Sequence, residues 1–496
     1  LIKEVTIGVW TKRLIVLVAA IQIGLILGFA NLGYMVEHWI PAQYWSYLPD
    51  WVVATTGERG DFLVNVAGSE ANEIDASDIL ASLPTSTPTP TATATATSSP
   101  TPTAEVVEET ATQSALPVNT ATSTLTPTPI PPTSTPIPSP TPTAIPPLLQ
   151  LQGLQAEAQK FNNCGPTNLA IVLNFYGDPT TQLEAGAYLK PNHYDRNVSP
   201  WQISDYVNEF TELKSITRAN GDQELLKRLV AAGYPVVIEK GYDPDRANAR
   251  GWYGHYLTIF GYDDAKEEYN TIDTFLGPFT ESDVRNPNIT GVGYTTADGY
   301  TLADGRIYTY EYIEYYWQQF NYTYYVVYPP EKEGELFGLI GPEANDNIAM
   351  WWGALMRAQE DIEEDEENAF AWFNLGTAFT QLGRLTEDQA QFESGALAFD
   401  KALSIGLPSR MLWYQHQVFF AYMQIGRFDD MITLADNTLI DAGGRTIEEV
   451  YLYKGHAQSY LGEYRSAANS YEKALELNEN FYPAQFGLDY VNSLFN

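Results

Sequence analysis

FNNCGPTNLAIVLNFYG, residues 161–177, decides how the middle of this chain folds. Pro166 suits the first turn of a helix, where its missing N–H is not needed, and Gly177 suits the stop. Between them Leu169, Ala170, Val172, Leu173 and Tyr176 recur at helical spacing. The pattern predicts a largely apolar, central helix with Cys164 just before its N-terminus. Free N–H groups and the positive dipole end favour an anion there. A thiolate is such an anion, and this placement can lower a cysteine pKa from about 8.5 towards roughly 3.5–7.5. Taken alone, a cysteine at such a place is more often a small buried hydrophobe.

A second stretch, GHYLTIFGYDDAKEEYNTIDTFLGP, covers residues 254–278. His255, Leu257 and Ile259 alternate with Tyr256, Thr258 and Phe260, the period of a strand. Asp263 to Glu267 make a polar turn, and Tyr269 to Phe275 make the returning strand. If Tyr262 pairs with Glu268, Phe275 faces His255 and Asp273 faces Leu257. Asp273 is then diagonal to His255 on one face, about 7–8 Å away at the backbone and within side-chain reach. A one-residue slip would turn the two side chains to opposite faces.

A cysteine nucleophile needs a base to take its proton and later return it to a leaving group. A third residue fixes the tautomer and orientation of that base. Cys164, His255 and Asp273 are of these three types. Gln159, five residues before the cysteine, can offer an amide N–H to a developing oxyanion. The backbone N–H of Cys164 would be the second donor. Each also has a plain structural role: a satisfied strand histidine, a strand-end turn residue, a surface amide.

The 496 residues suffice for two to four domains. Sixty-two acidic residues against 27 Lys and Arg give a formal charge of −35, which repels phosphate backbones and speaks against nucleic-acid binding. Cys164 is the single cysteine, so no intramolecular disulfide or iron–sulfur site can form. The five histidines (His38, His193, His255, His416, His456) are scattered, and no cofactor or metal is called for.

Working towards the N-terminus, residues 14–36, LIVLVAAIQIGLILGFANLGYMV, carry no charge. As a helix they would span roughly 34 Å, matching a bilayer core of about 30 Å. Lys12 and Arg13 precede the run, so the positive-inside rule places 1–13 in the cytoplasm and the rest outside. The run is too long for an ordinary signal peptide, and no small-x-small site follows closely. These features predict a single-pass cell-membrane anchor, with 37–81 as a juxtamembrane segment. Residues 82–147 hold 16 of the 31 prolines and no aromatic, Lys, Arg or His. Such a Thr/Pro-rich stretch cannot bury enough surface to order itself and reads as an extended, disordered stalk.

Residues 148–330 read as mixed helix and strand. Their 294–328 portion holds 11 tyrosines, which read as packing at the domain's closing edge. Residues 343–496 read as helical throughout. Trp372, Leu375, Gly376, Phe379 and Gly383, then Gly395, Phe399 and Ala402, follow the tetratricopeptide pattern of small and aromatic positions. A weaker copy uses Tyr422, Gly426, Phe428 and Ala435. A clear third uses Tyr451, Gly455, Gly462, Tyr464, Ala467, Tyr471 and Ala474. Residues 347–361 would add a preceding half repeat, and Pro483 to Phe495 a capping helix. Stacked repeats form concave surfaces that commonly hold a peptide or protein partner. The acidic run 360–368 reads as a solvated face.

The segments QKFNNCGPTNLAIVLNFYG, VSPWQISDYVNEF, AAGYPVVIE, GHYLTIFGYDD and IDTFLGP together resemble the papain-like peptidases of cysteine-peptidase family thirty-nine. Within it they most resemble the C39-like relatives that lack a transporter. The resemblance covers about residues 155–330. It implies a papain-like α+β fold and thiol chemistry. Residue by residue it maps the nucleophile onto Cys164, the base onto His255, the orienting residue onto Asp273 and the oxyanion amide onto Gln159. The family's glutamine commonly sits six residues before the cysteine, and here the gap is five. The best-known members cut leader peptides on exporters. This chain has no nucleotide-binding GxxxxGK[ST] and no bundle of membrane helices, so that role is not carried over. The expectation is a membrane-anchored, extracytoplasmic cysteine peptidase acting on a peptide or protein, with a repeat module for substrate or partner. An inactive papain-like scaffold and another thiol acyl transferase are the alternatives.

Overall fold

The computed structural model describes residues 145–157, 159–192, 194–243, 252–274, 295–296, 299–300, 306–440 and 443–495. The apolar run 14–36, the segment 37–81 and the stalk up to residue 144 lie outside them. Among the described residues no helix is long and apolar enough to cross a membrane.

The first region is a mixed α/β domain. Its seven-stranded sheet comprises β1 (Leu148–Gln150), β2 (Lys214–Arg218), β3 (Val236–Tyr242), β4 (Tyr253–Asp263), β5 (Glu268–Ile272), β6 (Arg306–Thr309) and β7 (Tyr324–Tyr328). The order is β2-β7-β3-β4-β5-β6, with β1 added along β4, and every pair is antiparallel. A separate two-residue ribbon joins Thr295–Thr296 to Gly299–Tyr300.

Successive side chains of a strand point to opposite faces, so the central strands feed two cores. Val236 and Ile238 of β3 enter one, with Leu257, Ile259 and Tyr324. Helices α4 (Gln223–Ala231) and α5 (Tyr310–Gln318) cover that face. Val237 enters the other core, with Tyr256, Tyr325 and Val327. There α1 (Cys164–Phe175), α2 (Gln182–Leu189) and α3 (Pro200–Phe210) form the cover. The tyrosines of 324–328 are buried, but β7 lies between β2 and β3 inside the sheet and not at its edge. Helix α6 (Glu333–Ile340) follows and buries Leu336 and Ile340 in the first core.

The second region is helical: α7 (Asn347–Glu364), α8 (Ala369–Thr386), α9 (Gln389–Ile405), α10 (Met411–Tyr414), α11 (Gln417–Gln424), α12 (Phe428–Ile440), α13 (Glu448–Tyr460), α14 (Tyr464–Leu477) and α15 (Tyr482–Ser493). The small positions of the repeat pattern are close-approach points. A Cβ on Gly376 would come 2.8 Å from the Phe399 ring, and one on Gly455 would come 2.6 Å from that of Tyr471. The second repeat, weak in sequence, is preceded by a break in the helix pairing before α11. Residues 408–416 carry the short α10, which packs against the α/β domain.

Ala219, Trp252 and Phe320 of the α/β domain share one apolar core with α7 to α13. Arg410 is fully buried at this junction and donates from Nη1 to the Trp252 carbonyl at 3.2 Å. Its guanidinium lies 4.3 Å from the Tyr253 ring centroid. At the far end, α15 buries Ala484 and Val491 while Tyr482, Phe486 and Tyr490 stay exposed. Its outer face is therefore aromatic, unlike the polar face usual for a terminal cap.

Candidate active site

Cys164 is the first residue of α1, and that helix runs apolar and buried from Leu169 to Leu173. Asn163 precedes it without a side-chain cap to the helix. Instead its amide donates to the carbonyl and side-chain oxygens of Gln182, both at 3.0 Å, fixing the helix start against α2. Asn162 holds a left-handed φ of 52°, which turns the chain into the helix.

His255 lies near the start of β4, and Asp273 follows the last residue of β5. Both are buried. His255 Nε2 stands 2.9 Å from Asp273 Oδ1. The imidazole and the Cys164 thiol also act on each other electrostatically, the imidazole pulling the thiol down and the thiol raising the imidazole. The structure thus pairs His255 with Asp273 directly and sets Cys164 within their electrostatic reach. The strand register that does so differs from the expected one: Tyr262 pairs with Tyr269, and a bulge at Phe260 restores Ile259 to Thr271 and Thr258 to Ile272.

Burial pushes the Cys164 thiol up, but the hydrogen bond and charge of His255, with N–H groups of Tyr256 and Gly165, outweigh it. The net shift is downward. Burial pulls His255 down, and Asp273, then Cys164, outweigh that, so its pKa rises. The two shifts together favour a thiolate beside an imidazolium. Glu239 is buried, and burial, then the charge of Cys164, raises its carboxyl well above the usual range.

Gln159 is buried beside this group. Its backbone N–H donates to Thr274 O, and its Oε1 accepts from Thr274 Oγ1, both at 2.9 Å. With the oxygen occupied, what the side chain offers is its amide N–H groups. Thr274 immediately follows Asp273, so the two are held by one turn.

Three residues that sequence reading passed over complete the surroundings. Asn168, one turn after Cys164, donates to Cys164 O (2.9 Å), Tyr256 O (3.2 Å) and Thr274 Oγ1 (3.2 Å). It also accepts from Thr258 Oγ1 at 2.7 Å. An asparagine on the inner turn of a largely apolar helix was the available signal. Tyr308 donates to Asp273 Oδ2 at 2.6 Å. Tyr414, from α10, lines the pocket beside Cys164 together with Gly165, Asn197, Val198, Gly254 and Tyr256. That pocket offers about 10 Å³, room for about one water. A Cβ on Gly254 would come 2.9 Å from the Tyr414 ring and 2.8 Å from Phe320. A larger groove of about 500 Å³ shares no lining residue with this pocket. It lies between α3 and β2 on one side and α7 and α8 on the other, flanked by Trp201 and Trp351.

The comparisons with known proteins agree with this division of the chain. No curated protein matches the sequence. Residues 448–481, covering α13 and α14, match the family model Tetratricopeptide repeat. Residues 143–325, which contain the sheet up to the first residues of β7 and the Cys164–His255–Asp273 group, match the model of the Peptidase_C39 like family, so the chain carries a C39-like domain followed by a tetratricopeptide repeat.

Proposed function

We propose that the C39-like domain is a cysteine peptidase in which Cys164, His255 and Asp273 act as a triad. The observation that carries this reading is the buried His255–Asp273 pair, 2.9 Å apart, acting on a thiol at the head of α1 whose pKa it lowers. The thiolate attacks the scissile carbonyl carbon, forming a C–S bond and an oxyanion. The amide of Gln159 and the backbone N–H of Cys164 stabilise that oxyanion. As it collapses, the C–N bond breaks and the imidazolium gives its proton to the departing amine. Water, deprotonated by His255, then hydrolyses the thioester and returns the thiol. Asp273 holds the imidazole in place throughout.

The repeats would hold a peptide or protein, either substrate or partner. The sequence of residues 14–36 supports a single-pass cell-membrane anchor, with the stalk 82–147 spacing the domains outside. The test is cleavage of a peptide library by the full chain and by Cys164→Ala. Cleavage by the wild type alone supports the reading. No cleavage by either, or equal cleavage by both, overturns it.

A second reading, a papain-like domain kept as a binding scaffold, has one observation in its favour. The pocket beside Cys164, which Tyr414 helps to line, offers only about 10 Å³. A thiol-reactive probe separates the two readings: labelling of Cys164 at neutral pH that is lost in His255→Ala favours catalysis. Added amine during turnover separates hydrolysis from acyl transfer by the product formed.

A further inference from the structure

We infer that Tyr308 is a positioning residue of this site, its phenol fixing Asp273 so that the carboxylate holds His255 towards Cys164. The inference rests on the thiol-peptidase reading above. Two neighbours meet different oxygens of Asp273: Oδ1 meets His255 Nε2 at 2.9 Å and Oδ2 accepts from Tyr308 Oη at 2.6 Å. The outermost torsion of an aspartate is broad, so a carboxylate held by one oxygen can turn. A second, charge-assisted bond to the other oxygen fixes its plane.

Tyr308 is itself held rigidly. It is buried, lies in β6 opposite Tyr269 of β5, and stacks on Tyr312 with centroids 4.5 Å apart and planes 13° apart. This anchor has a reason that a simple orienting carboxylate lacks. Lys240 of β3 is the direct cross-strand partner of His255. It is fully buried, donates to Gly241 O at 3.0 Å, and sits among four tyrosine rings. Their centroids lie 4.9 Å (Tyr242), 5.1 Å (Tyr312), 5.3 Å (Tyr316) and 5.8 Å (Tyr308) from its Nζ. Burial brings this lysine down to about 8, and the charge of Asp273 opposes that. Like charges directly opposite on adjacent strands repel, so an ammonium facing His255 opposes the imidazolium. The Asp273 carboxylate offsets both cations. A carboxylate free to turn away would leave the imidazolium facing Lys240 uncompensated. The phenol of Tyr308 prevents that turn.

The test is the pH dependence of iodoacetamide alkylation in the full chain, whose one cysteine is Cys164. Tyr308→Phe keeps the ring and removes only the hydroxyl. The expected result is alkylation about tenfold slower than wild type near pH 6, with equal rates at about pH 10, where thiolate forms without help. Equal rates at both pH values overturn the inference and leave the thiol reading intact. A uniform loss at both also overturns it, because it reports changed access. A wild-type thiol that is unreactive near pH 6, or indifferent to His255→Ala, overturns the thiol-peptidase reading itself. If the Phe variant does not fold, the unaltered protein decides by proton NMR. A slowly exchanging, downfield phenolic proton is then expected, and its absence overturns the assignment.

Discussion

His255 and Asp273 share one face of the β4–β5 ribbon because Phe260 is bulged out of register. Asp263–Glu268, Tyr262–Tyr269 and Gly261–Asn270 are paired, and after the bulge Ile259–Thr271 and Thr258–Ile272. Continued without it, the first register would set Asp273 opposite Thr258 and turn it from the His255 face. Gly261 permits the bend, since a Cβ there would stand 2.8 Å from the Leu149 carbonyl of β1. Gly261→Ala is expected to destabilise the protein by about 1–3 kcal/mol in chemical denaturation. It should lower peptide cleavage beyond what the folded fraction accounts for.

For the proposed peptidase, proton linkage sets the shape of the expected pH profile. The Cys164 thiol lies below the ordinary value for a thiol and His255 above that for an imidazole. Alkylation therefore sets in at lower pH than for a free thiol. Cleavage needs the imidazolium as well, so it falls as pH rises through the raised His255 pKa. The expected profile is a bell, its acid limb set by the thiol and its alkaline limb by the imidazole. In His255→Ala the burial that raises the thiol is no longer outweighed, so the acid limb moves up. Alkylation near pH 6 should fall at least about 100-fold.

Gln159 is anchored through its oxygen to Thr274, so its contribution to catalysis would come from the N–H groups. Gln159→Ala is expected to lower kcat about 10²- to 10³-fold with little change in KM. Steady-state kinetics on a cleaved peptide measure this, and an effect confined to KM would place the amide in substrate binding instead.

Arg410 links α10 to the start of β4 through the Trp252 carbonyl and the Tyr253 ring. Truncating a buried, hydrogen-bonded cation leaves a cavity and an unmet carbonyl. Arg410→Ala is expected to cost about 2–4 kcal/mol. Calorimetry should show one unfolding transition for the two regions in the wild type, and a broadened or split one in the variant.

Local chemistry was legible in the sequence. The apolar helix behind Cys164, the hairpin carrying His255 and the small and aromatic repeat positions follow from spacing alone. The hairpin register was reached from a pairing, Tyr262 with Glu268, that the ribbon does not use. Gly261, alone inside a strand pattern, was the sign of the bulge. What sequence reading could not reach is set by contacts far along the chain. Tyr308 meets Asp273 across 35 positions, and Arg410 meets Trp252 across 158. The run of tyrosines hid both a sheet interior and the cage around Lys240, because aromatic composition alone does not say what each ring faces.

The apolar core that Trp252 and Phe320 share with the helical repeats also bears on how the molecule can be cut. A fragment ending after β7 would bare two stacked rings, Trp252 on Phe320, at 5.5 Å. It would also free the residues leading into the imidazole strand from the support of Tyr414. Excising the α/β half would thus yield a sticky, loosened piece, and biochemical work on this protein should keep both halves together.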